Sequence, residues 1–579
     1  MKRLLFILFL PVFAIAAGDP TVAQMNAKTF GLLTLLPPVV AIGLAFLTKD
    51  VILSLFIGAF TGSYMLALTT NNWYSAFVSG FAGFIKKAVN SLGDPGNAGI
   101  VLQVLCIGGV VALITKSGGT KAIAQWLSKK AKSYKSSQFS TWIMGLIIFF
   151  DDYANSLIVG PIMRPVIDKF RVSREKLAFI MDSTAAPITG IAIISTWIGL
   201  EISVIKSGYG LIPNDYYQFL SLDPQNVNAF GIFLETIPYR FYNIFMLLFV
   251  IMTIFMGREF GPMYKAEKLA REGKRFYTQE AESEIANLED KLLEPKESVK
   301  PEAINALVPL FVLIIGSFIG FYYSGLAELD PDIVAIINKE PLSFFALRET
   351  FGAADASIVL FQAALASAIV AIILGVYKKI FKVREAIVIW THGWRIMIVT
   401  VIILVSAWTL SSTIKELGTS VYLVEVFSNT ISYIILPALI FILASIISFS
   451  TGTSYGTMGI LMPLVIPLAV AVGVNSGKFV TPDELHCFMV ICISGVLTGA
   501  IFGDHCSPIS DTTILSSMGS GCNHISHVQT QIPYALSICV ISLFFGYIPV
   551  TLGLNIWVTL LFGVGMSALM LRVFGKKVD

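Results

Sequence analysis

The chain has 579 residues and a mass of 63.1 kDa, with 55% apolar residues, 13% charged residues, a mean hydropathy of +0.78 and a net charge of +3. A soluble fold carries roughly 25% charged residues and has no room to hide this much apolar surface, so a lipid bilayer is the main solvent and partner. The small net charge, without a basic stripe, argues against nucleic acid as a partner, and six cysteines with no CxxC pair argue against a disulfide framework.

Residues 1–17, MKRLLFILFLPVFAIAA, have a basic start, a short apolar core and a small-x-small end, the pattern of a signal peptide. Apolar runs then recur at 30–48, 51–69, 98–115, 175–200, 233–256, 303–324, 355–377, 395–412, 487–517, 531–552 and 555–573, which predict about 11 transmembrane helices. Two further stretches, 137–167 and 433–473, are apolar but broken in the middle by polar and small residues. Residues 257–302 form a long polar segment that includes EAESEIANLEDKLLEPKE, and read as a solvated cytoplasmic linker.

Lys and Arg in short loops set orientation. Six lysines lie between Lys116 and Lys135, five basic residues from Arg164 to Lys176, and nine between Arg258 and Lys300. Further clusters at Lys378–Arg384 and Arg572–Lys577 complete a set that belongs on the cytoplasmic side. Segment 137–167 is basic on both flanks and is therefore expected to enter and leave from the cytoplasm as a re-entrant hairpin. By the same counting, 433–473 enters and leaves from outside. The N-terminus is then outside after signal cleavage and the C-terminus cytoplasmic, in the cytoplasmic (inner) membrane.

The two hairpins resemble each other. DDYANSLIVGPIMRPV from Asp151 and TSYGTMGILMPLVIP from Thr453 align Tyr153 with Tyr455, Pro161 with Pro463 and Pro165 with Pro467 at an offset of 302. The following segments align Pro187-Ile188-Thr189 with Pro508-Ile509-Ser510 at an offset of 321. The expected fold is an all-α polytopic membrane protein with an inverted repeat, 30–256 and 303–552, joined by the 257–302 linker, with 553–579 as a final transmembrane helix and tail. Inverted repeats with broken helices are an architecture of secondary transporters.

Ionisable residues inside a membrane are costly and point to function. The first hairpin breaks at Asp151-Asp152-Tyr153-Ala154-Asn155 and the next crossing at Asp182-Ser183-Thr184. The second hairpin breaks at Gly452-Thr453-Ser454-Tyr455 and its following crossing at Asp504-His505-Cys506-Ser507 to Asp511. Gly and Pro free backbone carbonyls there, and Asp, Asn, Ser and Thr add oxygen ligands of the kind hard cations select. Elsewhere, Asp355 reads as a helix cap, and Glu201 and Glu235 as solvated residues flanking an outer loop. Trp197 and Trp408 read as packing residues, with lining of the pathway as the alternative. Cys506, Cys522, His524 and His527 fit no standard zinc spacing.

FFDDYANSLIVGP, STGTSYGTMGILMPL and GDHCSPISDTTILSS followed by HVQTQIPYAL resemble the NhaC-type Na⁺/H⁺ antiporters of the ion transporter superfamily, over about residues 30–573. The resemblance implies secondary transport by an elevator-type transporter, often a homodimer, with the hairpins and broken crossings in the moving part. Relatives in that family also exchange malate for lactate or carry amino acids.

The expected function is exchange of Na⁺ for H⁺. Adjacent carboxylates in an apolar setting resist joint ionisation, so a proton and Na⁺ compete for them. The expected Na⁺ ligands are Asp151, Asp152, Asn155, Asp504, Ser507 and Asp511, supported by Asp182, Ser183, Thr184, Thr453 and Ser454. No enzymatic activity and no cofactor are expected, only Na⁺ and H⁺ as transported ions. The alternative is Na⁺- or H⁺-coupled movement of an amino acid or a hydroxy- or dicarboxylate. Intramembrane proteolysis by paired aspartates has no use for the repeat or the hydroxyl-rich tips.

Overall fold

The computed structural model of the chain describes residues 22–48, 50–220, 227–274, 295, 299–427 and 430–578. The expected signal peptide at 1–17 and most of the linker beyond Lys274 lie outside the described residues. The described chain is helical apart from one antiparallel pair of two-residue strands, Arg258–Glu259 with Lys576–Lys577.

Nine helices among the described residues are long and apolar enough to cross a bilayer, or ten if the bent pair Ala229–Tyr239 and Phe241–Met256 is one span. This differs from the expected eleven for identifiable reasons. The helix Val51–Leu68 offers only a short apolar stretch, Ile52–Leu68, below the ~20 residues a span needs. The 175–200 run is not one helix: Arg174–Ser183 stops, a single turn follows at Ala186–Thr189, and helix resumes at Ile198–Tyr209. Conversely, Ser454–Asn475 is long enough to span, although sequence reading makes it a hairpin arm.

A helix that the sequence reading missed, Trp73–Gly93, follows Val51–Leu68. Phe77, Phe81 and Phe84 recur at helical spacing and meet Phe56 and Phe60 edge to face, while Lys87 pairs with Glu416 at 2.7 Å. This split between an apolar and a charged face makes the helix amphipathic rather than uniformly apolar. It packs with Val51–Leu68 and Val383–Leu417, and the latter also packs on Pro95–Lys116. Ile304–Glu328 and Ala356–Tyr377 complete this bundle. Asp355 caps Ala356–Tyr377 by accepting hydrogen bonds from Ser357 N at 3.1 Å and Ile358 N at 3.3 Å, as expected.

The second bundle holds the broken elements. Leu436–Thr451 runs parallel to Pro482–Cys506: Pro437, Phe441 and Ser445 lie in turn against Gly495, Gly499 and Gly503. Ser454–Asn475 runs the opposite way, with Ser454 beside Asp504 and Gly473 beside Leu485. These two arms therefore fold back on each other. The turn is made by Gly452 at φ +67°, where an added Cβ would also fall 2.7 Å from the Ile509 carbonyl oxygen, so position and conformation both call for glycine.

Tyr134–Ile147 and Asp152–Lys169 fold back in the same manner. Asn155 reaches Gly145 and Thr184 near the tip, while Asp168 meets Arg174 at the base. Asp511–Ser520 runs alongside Asp152–Lys169, with Ser156 on Ser516 and Arg164 on Gly519. The bases of the two hairpins thus lie at opposite ends of the 482–520 segment, and their tips meet near its interruption.

Beyond the end of Phe241–Met256, the short helix Gly261–Arg271 seals one end of this bundle. Its Glu267 accepts hydrogen bonds from Ser173 N and Oγ, both at 2.7 Å. Burial, and then the charge of neighbouring Glu259, raise the Glu267 carboxyl pKa.

Candidate ion-binding site

The interruption of each helix follows from its own sequence. In the first hairpin, helix ends at Ile147 and resumes at Asp152, where a carboxylate suits the positive end of the dipole. In the second, Thr453 caps the next helix by accepting from Gly456 N at 3.4 Å. In Pro482–Cys506 the helix ends before Ser507-Pro508 and resumes at Asp511, because Pro508 disfavours helix at the residue before it and lacks a donor.

Three of the four expected breaks line one cavity of about 190 Å³; the break at Asp182-Ser183-Thr184 does not, and its segment reaches the cavity only further along. The first tip gives Asp151, Asp152 and Tyr153, and the second gives Thr453, Ser454 and Tyr455. The first interrupted segment gives Thr196 and Trp197; the second gives Asp504, Ser510, Asp511 and Thr512. Met397, Thr400 and Ile403 of Val383–Leu417 form the facing wall. Asp151, Asp152 and Asp504 are buried at 2%, 3% and 6% exposure, so their charges are held away from bulk water.

The polar groups are tied together across the breaks. Ser454 Oγ donates to Asp504 Oδ2 at 2.8 Å, and Tyr153 donates to Asp511 Oδ2 at 3.3 Å. Thr196 N donates to the Phe150 carbonyl at 3.0 Å, and Tyr455 donates to the Thr196 carbonyl at 3.4 Å. Asp152 Oδ1 is buried without a hydrogen-bond partner among the described residues, an oxygen available to a cation or a proton. Among the described residues no three His, Cys, Asp or Glu side chains converge closely enough to hold a metal ion. The carboxylates line the cavity rather than close around a point.

Six of the eleven expected site residues line this cavity: Asp151, Asp152, Thr453, Ser454, Asp504 and Asp511. The other five are buried around it. Asn155 donates to the Thr184 carbonyl at 2.5 Å and the Gly145 carbonyl at 3.2 Å, bracing the first tip. Ser507 donates to the Phe449 carbonyl at 2.7 Å, bracing the second. Ser183 meets His505 Nε2 at 3.2 Å, and Thr184 Oγ1 donates to the Ile180 carbonyl at 2.9 Å. Asp182 accepts from Gln531 Nε2 at 2.6 Å and Thr513 Oγ1 at 3.1 Å.

Sequence reasoning missed the role of Tyr153 and Tyr455, although their matched positions in the two hairpins were a signal. Of its two readings for Trp197, packing and lining of the pathway, it preferred packing; the ring lines the cavity and lies edge-on to Tyr455. Trp408 lines a second, larger cavity of about 700 Å³, together with Lys206, Lys415 and the hydroxyls of Ser203, Ser207 and Ser411. Glu201 corrects a further expectation. It is not solvated but fully buried, because Arg240 lies against it at 2.9 Å and supplies the compensating charge. Glu235 is exposed and pairs with His486 at 2.5 Å.

Comparison with known proteins gives a consistent family. Residues 193–548 match the Na⁺/H⁺ antiporter family. An uncharacterized protein of Haemophilus influenzae is 34% identical over 509 residues, covering 87% of this chain and 88% of its own. The malate-2H(+)/Na(+)-lactate antiporter of Bacillus subtilis is 31% identical over 101 residues, 17% of this chain and 19% of its own. An uncharacterized Na(+)/H(+) antiporter of H. influenzae is 26% identical over 237 residues, 40% of this chain and 41% of its own.

Proposed function

The chain belongs to the Na⁺/H⁺ antiporter family, and from that premise we propose that this secondary transporter exchanges Na⁺ for H⁺ by alternating access. The observation that carries the reading is the cavity lined by both hairpin tips and the 504–512 break, into which Asp151, Asp152, Asp504 and Asp511 face with the hydroxyl-bearing Thr453, Ser454, Ser510 and Thr512. Carboxylates and hydroxyls suit a hard monovalent cation. The same carboxylates take up protons, so loading one ion releases the other, and each is carried when the cavity changes the side it faces.

The test is transport by the purified chain in proteoliposomes, with Na⁺, Li⁺ and K⁺ compared across pH. Apparent Na⁺ affinity is expected to improve as pH rises and then to level off, because a protonated carboxyl no longer offers two anionic oxygens. An affinity that stays flat from acidic to alkaline pH sinks the shared-site mechanism.

The basic loops support a cytoplasmic base for the first hairpin and an outer base for the second, in the inner membrane. Single cysteines at Ser133 and Lys169, in a chain without native cysteines, are expected to resist an impermeant thiol reagent added outside. Labelling of either one reverses or breaks this orientation. The division into two bundles supports elevator movement of the hairpin bundle against the other, with a homodimer as the working assembly.

A second reading is favoured by the 700 Å³ cavity. Lys206 and Lys415 with several serines suit an organic carboxylate, and one relative carries the name of a malate and lactate antiporter. Labelled dicarboxylates and amino acids belong in the same transport assay.

A further inference from the structure

Two cavities lie in line between the bundles, and one side-chain contact stands between them. Along Val383–Leu417, Met397, Thr400 and Ile403 line the cavity of about 190 Å³, while Trp408, Ser411 and Lys415 line the one of about 700 Å³. Ile198–Tyr209 repeats this order: Trp197, just before its start, lines the smaller cavity, and Ser203, Lys206 and Ser207 line the larger one. Where the two series change over, Trp408 Nε1 donates to Ser203 Oγ. Ile403 and Ser411 are eight residues apart, about 12 Å along a helix, so the partition is little more than one layer of side chains thick.

The contact joins one bundle to the other. Ile198–Tyr209 belongs with the hairpins: it packs along Ser454–Asn475, where an added Cβ on Gly208 would fall 3.0 Å from the Met462 carbonyl oxygen. Val383–Leu417 belongs to the other bundle. Trp408 and Ser203 are both buried. Beside them an added Cβ on Gly459 would fall 3.0 Å from Ala407 Cβ, so the layer next to the indole is filled as well.

The larger cavity lies on the outer side. Val383–Leu417 has 35 residues, about 52 Å of helix, which exceeds the ~30 Å hydrocarbon layer. Its start adjoins the basic cluster Lys378–Arg384 that belongs to the cytoplasm, so its far end, with Lys415, is outside. Ala23 and Gln24, close to the outer N-terminus, line the same cavity. The ion cavity differs at its opposite rim. Asp511, which starts the helix that runs toward the base of the first hairpin, lines that cavity and is exposed. The ion cavity is thus open on its Asp511 side and shut on its Trp408 side.

We infer that Trp408, latched on Ser203, is the outer gate of the ion cavity, and that ions pass between this cavity and the outside through the 700 Å³ vestibule. The inference deepens the transport reading above and rests on it for what passes. An indole suits the part, because it is a large rigid plate with a single donor. It closes the way by its area and is held by one neutral hydrogen bond. Rotation of the ring into the vestibule that it already lines opens the way, and the hydroxyls of Ser203, Ser207 and Ser411 then offer oxygens to a cation that is shedding or regaining water. Lys206 and Lys415 stand exposed at the mouth, with Asp94 lining it beside them, where water and salt screen their charge. Because the latch joins the bundles, it must also break before one bundle slides on the other.

The test reads access separately from transport. In a chain without native cysteines, Thr400→Cys reports on the ion cavity and Ser411→Cys on the vestibule, each probed with an impermeant thiol reagent added outside. Ser411→Cys is expected to react in every background. Thr400→Cys is expected to react at least about 10-fold faster once Trp408→Ala is added, the scale set by one lost hydrogen bond. Ser203→Ala removes the latch but keeps the ring, and is expected to accelerate the reaction by a smaller factor; it carries the test if Trp408→Ala does not fold. Thr400→Cys labelling that neither change accelerates, or Ser411→Cys closed to the outside reagent, overturns the gate. In proteoliposomes, Trp408→Ala is expected to pass Na⁺ down its gradient without matching proton movement, since the cavity is then open on both sides. Na⁺ flux in this variant as tightly tied to protons as in the parent also overturns the gate. A parent that carries no Na⁺ while the labelling differences hold sinks the Na⁺ reading and leaves the gate standing.

Discussion

Asp152→Asn and Asp504→Asn are each expected to lower Na⁺-driven proton movement by at least about 10²-fold while the chain stays folded in the membrane. Asparagine keeps the size of aspartate but removes both the charge that balances the ion and the oxygen that takes the proton. Folding is expected to survive for reasons specific to each position. At 504, an asparagine carbonyl still accepts from Ser454 Oγ, now at 2.8 Å from the carboxylate. At 152, Oδ1 has no hydrogen bond to lose, and a neutral group in a buried site avoids the cost of desolvating a charge. Transport in proteoliposomes, normalised to protein recovered by size exclusion, is the measurement. Asp355→Asn is the comparison, expected to be mild because asparagine caps a helix as well as aspartate does. Parent-like transport in both cavity variants, with normal recovery, would remove these residues from the site. Inactivity confined to Asp355→Asn would move the functional carboxylate to the other bundle.

Arg240→Met is expected to be the most destabilising single change outside the cavity, by about 3–5 kcal/mol. Arg240 stands at the bend of 45° between Ala229–Tyr239 and Phe241–Met256. Its guanidinium meets both oxygens of Glu201, at 2.9 and 3.4 Å, and Nε donates to Thr236 Oγ1 at 3.1 Å. Both charged side chains have 0% exposure. Removing the cation alone strands a carboxylate where neither water nor another cation reaches it. The double variant Arg240→Met/Glu201→Gln removes both charges and is expected to recover most of the loss, since a buried pair stabilises far less than breaking it destabilises. Thermal unfolding in detergent distinguishes the cases. A double variant no more stable than Arg240→Met would mean that packing of the arginine stem, not the stranded charge, sets the cost.

What was legible in the sequence follows the range of the interactions. The four breaks were visible because Gly, Pro and Asp in apolar runs act on the backbone within a few residues, and the carboxylates at two of them, Asp151 and Asp152 at one and Asp504 and Asp511 at the other, line one cavity while Asp182 lies outside it. The surroundings of Asp182 were not visible. Asp182 depends on Gln531, 349 positions away, and nothing local marks that glutamine as its partner. His524 and His527 were weighed only as zinc ligands, because spacing along a helix tests metal geometry but not that Ser517 Oγ stands between the two rings. Glu201 was misplaced for a similar reason: at a helix end beside a loop it reads as solvated, and only the bend that brings Arg240 inward makes it a core residue. Helix count was the least secure, since Ser454–Asn475 has the length of a span and reveals its fold-back only through its neighbours.

The shared cavity also dictates an order of events during biogenesis. Asp151 and Asp152 leave the ribosome roughly 350 residues before Asp504 and Asp511, about 20 to 70 s earlier at ordinary rates of synthesis. Throughout that interval the first hairpin has its carboxylates but neither Ser454, Tyr455 nor the 504–512 segment to enclose them. A polar tip cannot rest alone in hydrocarbon at low cost. The first half must therefore wait in a hydrated or chaperoned setting, such as the insertion machinery, and its hairpin reaches its final depth only when the last third of the chain arrives. Maturation of the N-terminal half is thus completed by the C-terminal half, and the shared cavity is among the last features of the molecule to form.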